Sequence, residues 1–389
     1  MPAFAPSLLF GLGEGAILPV VPLTARELGG SVPQAALMVT LIGIGSMVSN
    51  VPASMITMRQ GERWALVAAA VWCALAMALC AWTESLVLFA VGCFMVGMSQ
   101  AVFSLARQSY LAEAVPMEYR ARVMSTMGGV TRIGMFIGPF LAALAIRHYG
   151  LAGSYGVGVA ALLCAAVIAA RLPSLEPATA AVGAQAAGEP ASAPTFASIL
   201  RRHRKVLVTL GLGIMLVSAV RAARQVVVPL WGDHLGLEPS LTALIYGVAN
   251  GVDMLVFYPA GMVMDRKGRS WVAVPSLLIM GVALLLTPLA HGAWGLLLAA
   301  VAIGFGNGIG SGLILTIGAD HFPRHGRAHF LGLWRMMSDI GSACGPALLS
   351  FLAATLSLGS AIALIALLAF AGAAQLAWWL PRVPRPDDS

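Results

Sequence analysis

Twelve stretches of this chain are apolar for long enough to cross a lipid bilayer, and no other feature constrains its fold as strongly. A spanning helix needs roughly 20 predominantly apolar residues. Such runs recur from one centred near Glu14 to one centred near Leu364, separated by short charged or Gly/Pro-containing breaks. With 10% charged and 59% hydrophobic residues, the chain of 389 residues lacks the polar surface that a water-soluble fold requires. Each run carries Gly, Ala or Ser at close spacing, the residues that let helices approach within lipid, and none shows the short alternating strands of a lipid-facing barrel. The expected fold is an all-α membrane protein of twelve transmembrane helices. The first run lacks a basic leader and passes directly into the second, so it reads as a retained helix rather than a cleaved signal.

The net charge of +7 is explained by where the charge lies. Arg59, Arg63, Arg120, Arg122, Arg171, Arg201, Arg202, Arg204, Lys205, Arg266, Lys267, Arg269, Arg324 and Arg327 occupy loops after even-numbered segments, and Arg382 and Arg385 the tail; the opposite loops hold only Arg26 and Arg147. The positive-inside rule then places both termini in the cytoplasm of a multi-pass protein in a plasma membrane, here a bacterial inner membrane. The basic excess orients the chain, and nucleic acid is not an expected partner. Five cysteines fall in spanning segments without metal-ligand or paired spacing and read as buried small hydrophobes. The chain has no phosphate-cradling glycine loop, no His/Cys metal spacing and no Ser/His/Asp set outside the bilayer, so neither an enzyme nor a bound metal or cofactor is expected.

An internal repeat is visible at one constant shift of 207 residues, which pairs Pro22 with Pro229, Pro52 with Pro259, Gly61 with Gly268 and Trp64 with Trp271. The same shift pairs Gly97 with Gly304, Glu113 with Asp320, Arg120 with Arg327 and Gly138-Pro139 with Gly345-Pro346. The chain therefore divides into a six-helix half over residues 1–173, a cytoplasmic linker with an interfacial basic helix over 174–206, a second six-helix half over 207–381 and a tail over 382–389.

These features resemble the major facilitator superfamily. GMVMDRKGR at 261–269 looks like that family's signature between helices 8 and 9. Gly261 and Gly268 would permit a tight loop and close helix approach, Asp265 would sit at the positive end of a neighbouring helix, and Arg269, beside Arg266, would reach Asp320. The resemblance implies a cytoplasmic gate that favours the outward-facing state. LGEGAILPVVP at 12–22 matches a helix 1 pattern of the twelve-helix drug/proton antiporters. Helix 5 carries Ser125, Gly134, Gly138 and Pro139 in a related spacing, and helix 11 carries Gly332, Gly341, Gly345 and Pro346. Gly and Pro there are expected to give kinked, closely packed helices at the interface between halves. The Arg that many such antiporters carry in helix 4 would fall at Cys93 and is absent.

Eight charges lie at membrane depth: Glu14, Asp253 and Asp339 against Arg107, Arg132, Arg221, Arg224 and Arg335. An acidic side chain at the bilayer centre costs about 2.5–3.5 kcal/mol on insertion scales, so each should face a partner or a water-filled cavity. A carboxyl shielded from water favours its neutral form, which makes Glu14 the candidate proton carrier or substrate ligand; a fixed pair with Arg221, its counterpart at the 207 shift, is the structural alternative. Arg132 is expected to pair with Asp253 between helices 5 and 8, and Arg335 with Asp339 along one helix face. Arg107, close enough to the membrane surface to snorkel, and Arg221, Arg224 and Gln225, which share a face of helix 7, are candidate substrate ligands. Asn250 and Asn307, with Gln100, Gln108 and Tyr246, add hydrogen-bonding capacity.

The expected function is secondary active transport by alternating access, with the halves rocking about a midplane site. Its expected form is proton-coupled efflux of hydrophobic or amphipathic small molecules by a monomer. The two-charge excess of arginine over acid motivates the alternative, transport of organic anions through Arg221 and Arg224. A non-transporting receptor or scaffold is a more distant third.

Overall fold

The computed structural model describes residues 4–115, 117–173, 203–321 and 327–383, all of them helix or connecting turn. Its spanning helices are α1 (Ala5–Glu27), α2 (Val32–Gln60), α3 (Glu62–Trp82), α4 (Leu86–Ala114), α5 (Met117–Tyr149), α6 (Leu151–Ala170), α7 (Arg204–His234), α8 (Pro239–Lys267), α9 (Ser270–Leu289), α10 (Gly292–Asp320), α11 (Arg327–Thr355) and α12 (Leu358–Trp379). Among the described residues, twelve helices are thus long and apolar enough to cross a membrane. The linker falls almost wholly outside the described residues. Its last part, Arg204–Val206, is no separate interfacial helix but the first turn of α7, continued by a π-helical stretch at Leu207–Gly211.

Local sequence explains the ends and breaks. Ser31 caps α2 reciprocally with Gln34. Gly61 and Gly268, at φ of 77° and 96°, close the α2–α3 and α8–α9 turns in a backbone region that side chains avoid. Pro19 and Pro22 remove donors from successive turns of α1, which stops at Ile17 and resumes at Val21. The Ala16 carbonyl beside the break instead accepts from Ser154 Oγ at 2.8 Å, and Thr24 Oγ1 accepts from Tyr155 at 3.0 Å, so α6 holds the broken segment in place.

Packing repeats between the two sets of six. α1 packs on α5 and α6, α2 on α4, and α3 on α6; six helices later α7 packs on α11 and α12, α8 on α10, and α9 on α12. The two most extensive contacts between the sets are α2 with α11 and α5 with α8, and α7 also touches α1 and α2. The positions that meet there also match under the shift: Arg132 stacks on Phe257 at 4.7 Å, while Asn50 donates to Asp339 at 3.2 Å.

The helix 5 and helix 11 glycines do not face the other half as expected. A Cβ at Gly134 or Gly138 would run into backbone of Leu8, Gly11, Leu12, Gly15 and Ala16 on α1, and one at Gly341 or Gly345 into the carbonyls of Met215 and Ala219 on α7. The reason is helical phase. Arg132, Phe136 and Phe140 recur every four residues on the face toward α8, where Gly247 and Gly251 receive the two phenyl rings, and the glycines lie on the opposite side. α5 and α11 run through Pro139 and Pro346 without a break. Replacing Gly345 by Val is expected to destabilise the second half by at least about 1–3 kcal/mol, the range for overpacking. Gly332→Val, at a position with open space around it, is the control. Melting temperatures in detergent check this, and equal loss in both variants would refute the close-approach explanation.

The cysteines divide: Cys73, Cys80 and Cys93 are buried, whereas Cys164 and Cys344 are exposed, which corrects their reading as a uniformly buried set.

Candidate functional site

A cavity of about 670 Å³ lies between the two sets of helices. All eight membrane-depth charges line it, together with Gln100, Gln225, Asn250 and Asn307. Gln108 and Tyr246 do not; Gln108 bonds Ser104 on its own helix at 3.0 Å, and Tyr246 is buried.

The side chains fall into three groups. Asp253, 7% exposed, accepts from Arg132 at 3.4 Å, Arg224 at 3.2 Å, Asn307 at 2.6 Å and Ser311 at 3.4 Å. One carboxylate thus holds two guanidinium groups and joins α5 to α7, α8 and α10. Arg221 donates to the Asn307 side chain at 2.7 Å, the Asn307 carbonyl at 3.1 Å and Ser311 at 3.2 Å. On the opposite wall Glu14, half-buried, faces Gln100 and Arg107 of α4, and Arg107 donates to Thr131 at 2.8 Å. The third group lies on α11: Asp339 accepts from Asn50, while Arg335 is exposed in the cavity.

Two expected pairs are not made. The four ion pairs among the described residues are Arg26–Asp233, Arg132–Asp253, Arg224–Asp253 and Arg269–Asp320. Arg335 and Asp339 do not pair within 4.0 Å, because Asp339 is turned across the interface to Asn50. Glu14 does not pair with Arg221, which Asn307 and Ser311 already occupy.

The cavity is closed toward the end of the bundle that carries Arg26 and Asp233. There Arg26 bonds Asp233 at 3.0 Å and the Gly30 carbonyl at 2.7 Å, tying α1 to α7. Pro22, Ala25, Pro229 and Trp231 are buried around the pair. Toward the end rich in basic loops Gly128, which lines the cavity, is exposed, and Gly332 has open space. The pair itself is about one-third exposed, and such pairs contribute about 1 kcal/mol or less to stability. Asp233→Asn is therefore expected to leave the melting temperature nearly unchanged. It should nonetheless speed maleimide labelling, from the Arg26 side, of a cysteine introduced at Gln225. A labelling rate equal to that of the parent would show that this pair does not hold the closed end.

At the basic end Arg269 grips Asp320 with Nε and Nη2, at 2.7 and 3.0 Å, and donates from Nη1 to the Met264 carbonyl. Two of the expected gate residues are not engaged in this conformation. Asp265 is exposed and has no hydrogen bond or ion pair among the described residues, and Gly261 faces open space rather than a neighbouring helix. Arg266 is exposed. The brace therefore lies inside the second set of helices. Ser125 has an undescribed side chain.

The Major Facilitator Superfamily model matches residues 4–266 and 210–389. The chain belongs to that superfamily. This transporter is 24% identical over 329 residues to the uncharacterised MFS-type transporter YhjO of Bacillus subtilis (strain 168), covering 82% of this chain and 78% of that one. It is 24% identical over 375 residues to the multidrug resistance protein MdtL of Escherichia coli O81 (strain ED1a), covering 94% and 90%. Among solved structures, a D-xylose-proton symporter superposes with a TM-score of 0.75 at 16% identity, covering 99% of this chain and 97% of that one. The nucleoside transporter NupG does so with a TM-score of 0.77 at 13%, covering 96% and 98%. As a facilitator-fold transporter, the protein takes a small-molecule substrate.

Sequence reasoning missed Ser311, Thr131, Asn50 and the Arg26–Asp233 tie. Ser311 was detectable as the residue four after Asn307. Arg26 and Asp233 are opposite charges at positions matched by the repeat, a signal available without any structure.

Proposed function

We propose that this protein exports hydrophobic or amphipathic small molecules across a bacterial inner membrane in exchange for protons, working as a monomer with both termini in the cytoplasm. The observation that carries this reading is Glu14: a carboxyl on the cavity wall with no ion-pair partner, where Asp253 is held by four donors. A carboxyl committed to a salt bridge resists protonation; an uncommitted one beside a water-accessible cavity exchanges its proton with whichever side the cavity faces. The resemblance to MdtL, a multidrug resistance protein, supports the export reading, and the arginine-rich loops support the orientation. In that orientation the conformation is open to the cytoplasm, and the Arg26–Asp233 tie is the outer gate. Alternating access follows if opening that gate accompanies approach of the basic ends.

The test is lumenal pH in proteoliposomes of the purified protein challenged with matched cationic, neutral and anionic compounds. Substrate-evoked proton movement against the direction of substrate flux is the expected result. Substrate flux without proton movement would refute coupling, and no flux with any compound would favour a receptor or scaffold. The anion reading through Arg221 and Arg224 draws no support from their geometry, since both are bound to Asn307, Ser311 or Asp253.

A further inference from the structure

Taking the cavity to be the transport site, as in the reading above, its five arginines differ in one respect that bears on substrate chemistry. Arg107 bonds Thr131, Arg132 and Arg224 share Asp253, and Arg221 bonds Asn307 and Ser311. Arg335 has no hydrogen bond and no ion pair among the described residues, although it lines the cavity and is exposed in it. Its nearest acid in sequence, Asp339, is close enough to feel its charge but takes its hydrogen bond from Asn50 at 3.2 Å, not from Arg335. The cavity as a whole carries five arginines against three acids. An exposed guanidinium whose donors have no partner among the described residues, in a chamber of excess positive charge, is matched by a planar oxyanion that accepts two parallel hydrogen bonds. An apolar surface belongs to the same chamber: Met47, Met135 and Met254 line it and none of them is buried, whereas the stacked Phe10 and Phe103 behind them are.

We propose that Arg335 anchors the carboxylate of an amphipathic organic acid whose apolar body lies against the methionine-lined wall of the cavity. The substrate class within the exporter reading is then aromatic or alkyl carboxylic acids rather than lipophilic cations. Lys cannot reproduce the fork geometry but keeps the charge, so it should retain part of the preference and Gln none.

The experiment uses three probes of one shape: 1-naphthaleneacetate, its neutral amide and the cationic 1-naphthylethylammonium. Binding is measured on the purified full chain in nanodiscs. Wild type is expected to bind the carboxylate about tenfold or more tightly than the amide, as for a charge-assisted bidentate contact, and the cation weakest. Arg335→Gln should bring carboxylate and amide within twofold of each other, and Arg335→Lys should fall between. Equal binding of acid and amide by wild type would overturn the assignment. So would a preference that survives in Arg335→Gln; if Arg221→Gln then abolishes it, helix α7 holds the anion. An Arg335→Gln protein that loses its fold would show the side chain committed to the protein and would also overturn it. An absent proton signal in wild type with the acid-over-amide preference present would remove the exporter reading while leaving Arg335 as the anion site.

Discussion

Replacing Glu14 by Gln is expected to reduce substrate-evoked proton movement to the level of empty liposomes while the protein keeps its fold. The substitution is nearly isosteric and breaks no ion pair, since Glu14 has none within 4.0 Å. The amide can still meet Gln100 and fit beside Arg107, the two groups that face the carboxyl. What it removes is the capacity to bind and release a proton. Facilitated substrate flux down its own gradient should persist, because alternation of the halves does not require the carboxyl to ionise. Only the link between the two fluxes should be lost. Proton movement that continued in a folded Glu14→Gln protein would remove this residue from the mechanism and leave Asp339, the other cavity acid outside an ion pair, as the next to test.

The second large effect is expected at Asp253, and on stability. Asp253→Ala leaves Arg132 and Arg224 without their counter-charge, with side chains 30% and 12% exposed, and deprives Asn307 of its acceptor. Breaking a buried pair by removing one partner costs about 3–5 kcal/mol because the other charge is stranded. The partial exposure of Arg132 argues for the lower end of that range. The melting temperature in detergent should fall by several degrees, and Asp253→Ala combined with Arg224→Gln should recover part of the loss. A double variant no more stable than the single one would show that stranded charge is not the cause. Asp253→Asn, which keeps acceptor capacity for Ser311, should lie between.

How much could be read without a structure follows from what each signal encodes. The bilayer imposes a length on every spanning helix, so the twelve segments were legible from apolar run length alone, and the repeat was legible because Gly and Pro are needed at the same turns in both halves, as at Gly61 and Gly268. The eight membrane-depth charges were legible because each is costly in lipid. Their partners were not. Spacing along one helix places Arg335 and Asp339 on one face but does not say that Asn50, from another helix, reaches Asp339 first. The glycines of α5 and α11 were identified as close-packing positions, yet which neighbour they pack on depends on the rotation of each helix. That rotation is set by where Phe136 and Phe140 insert against α8. The distinction between committed and free arginines is likewise a property of several helices at once.

The tie between Arg26 and Asp233 joins two positions 207 residues apart, the same place in each half. It therefore sits on the pseudo-twofold axis, where a residue of one half meets its own counterpart. Two identical halves would set arginine against arginine there, or aspartate against aspartate, and repel. A closure of this kind is available only to a chain whose halves have become different, so this latch is a property of asymmetry itself rather than of either half.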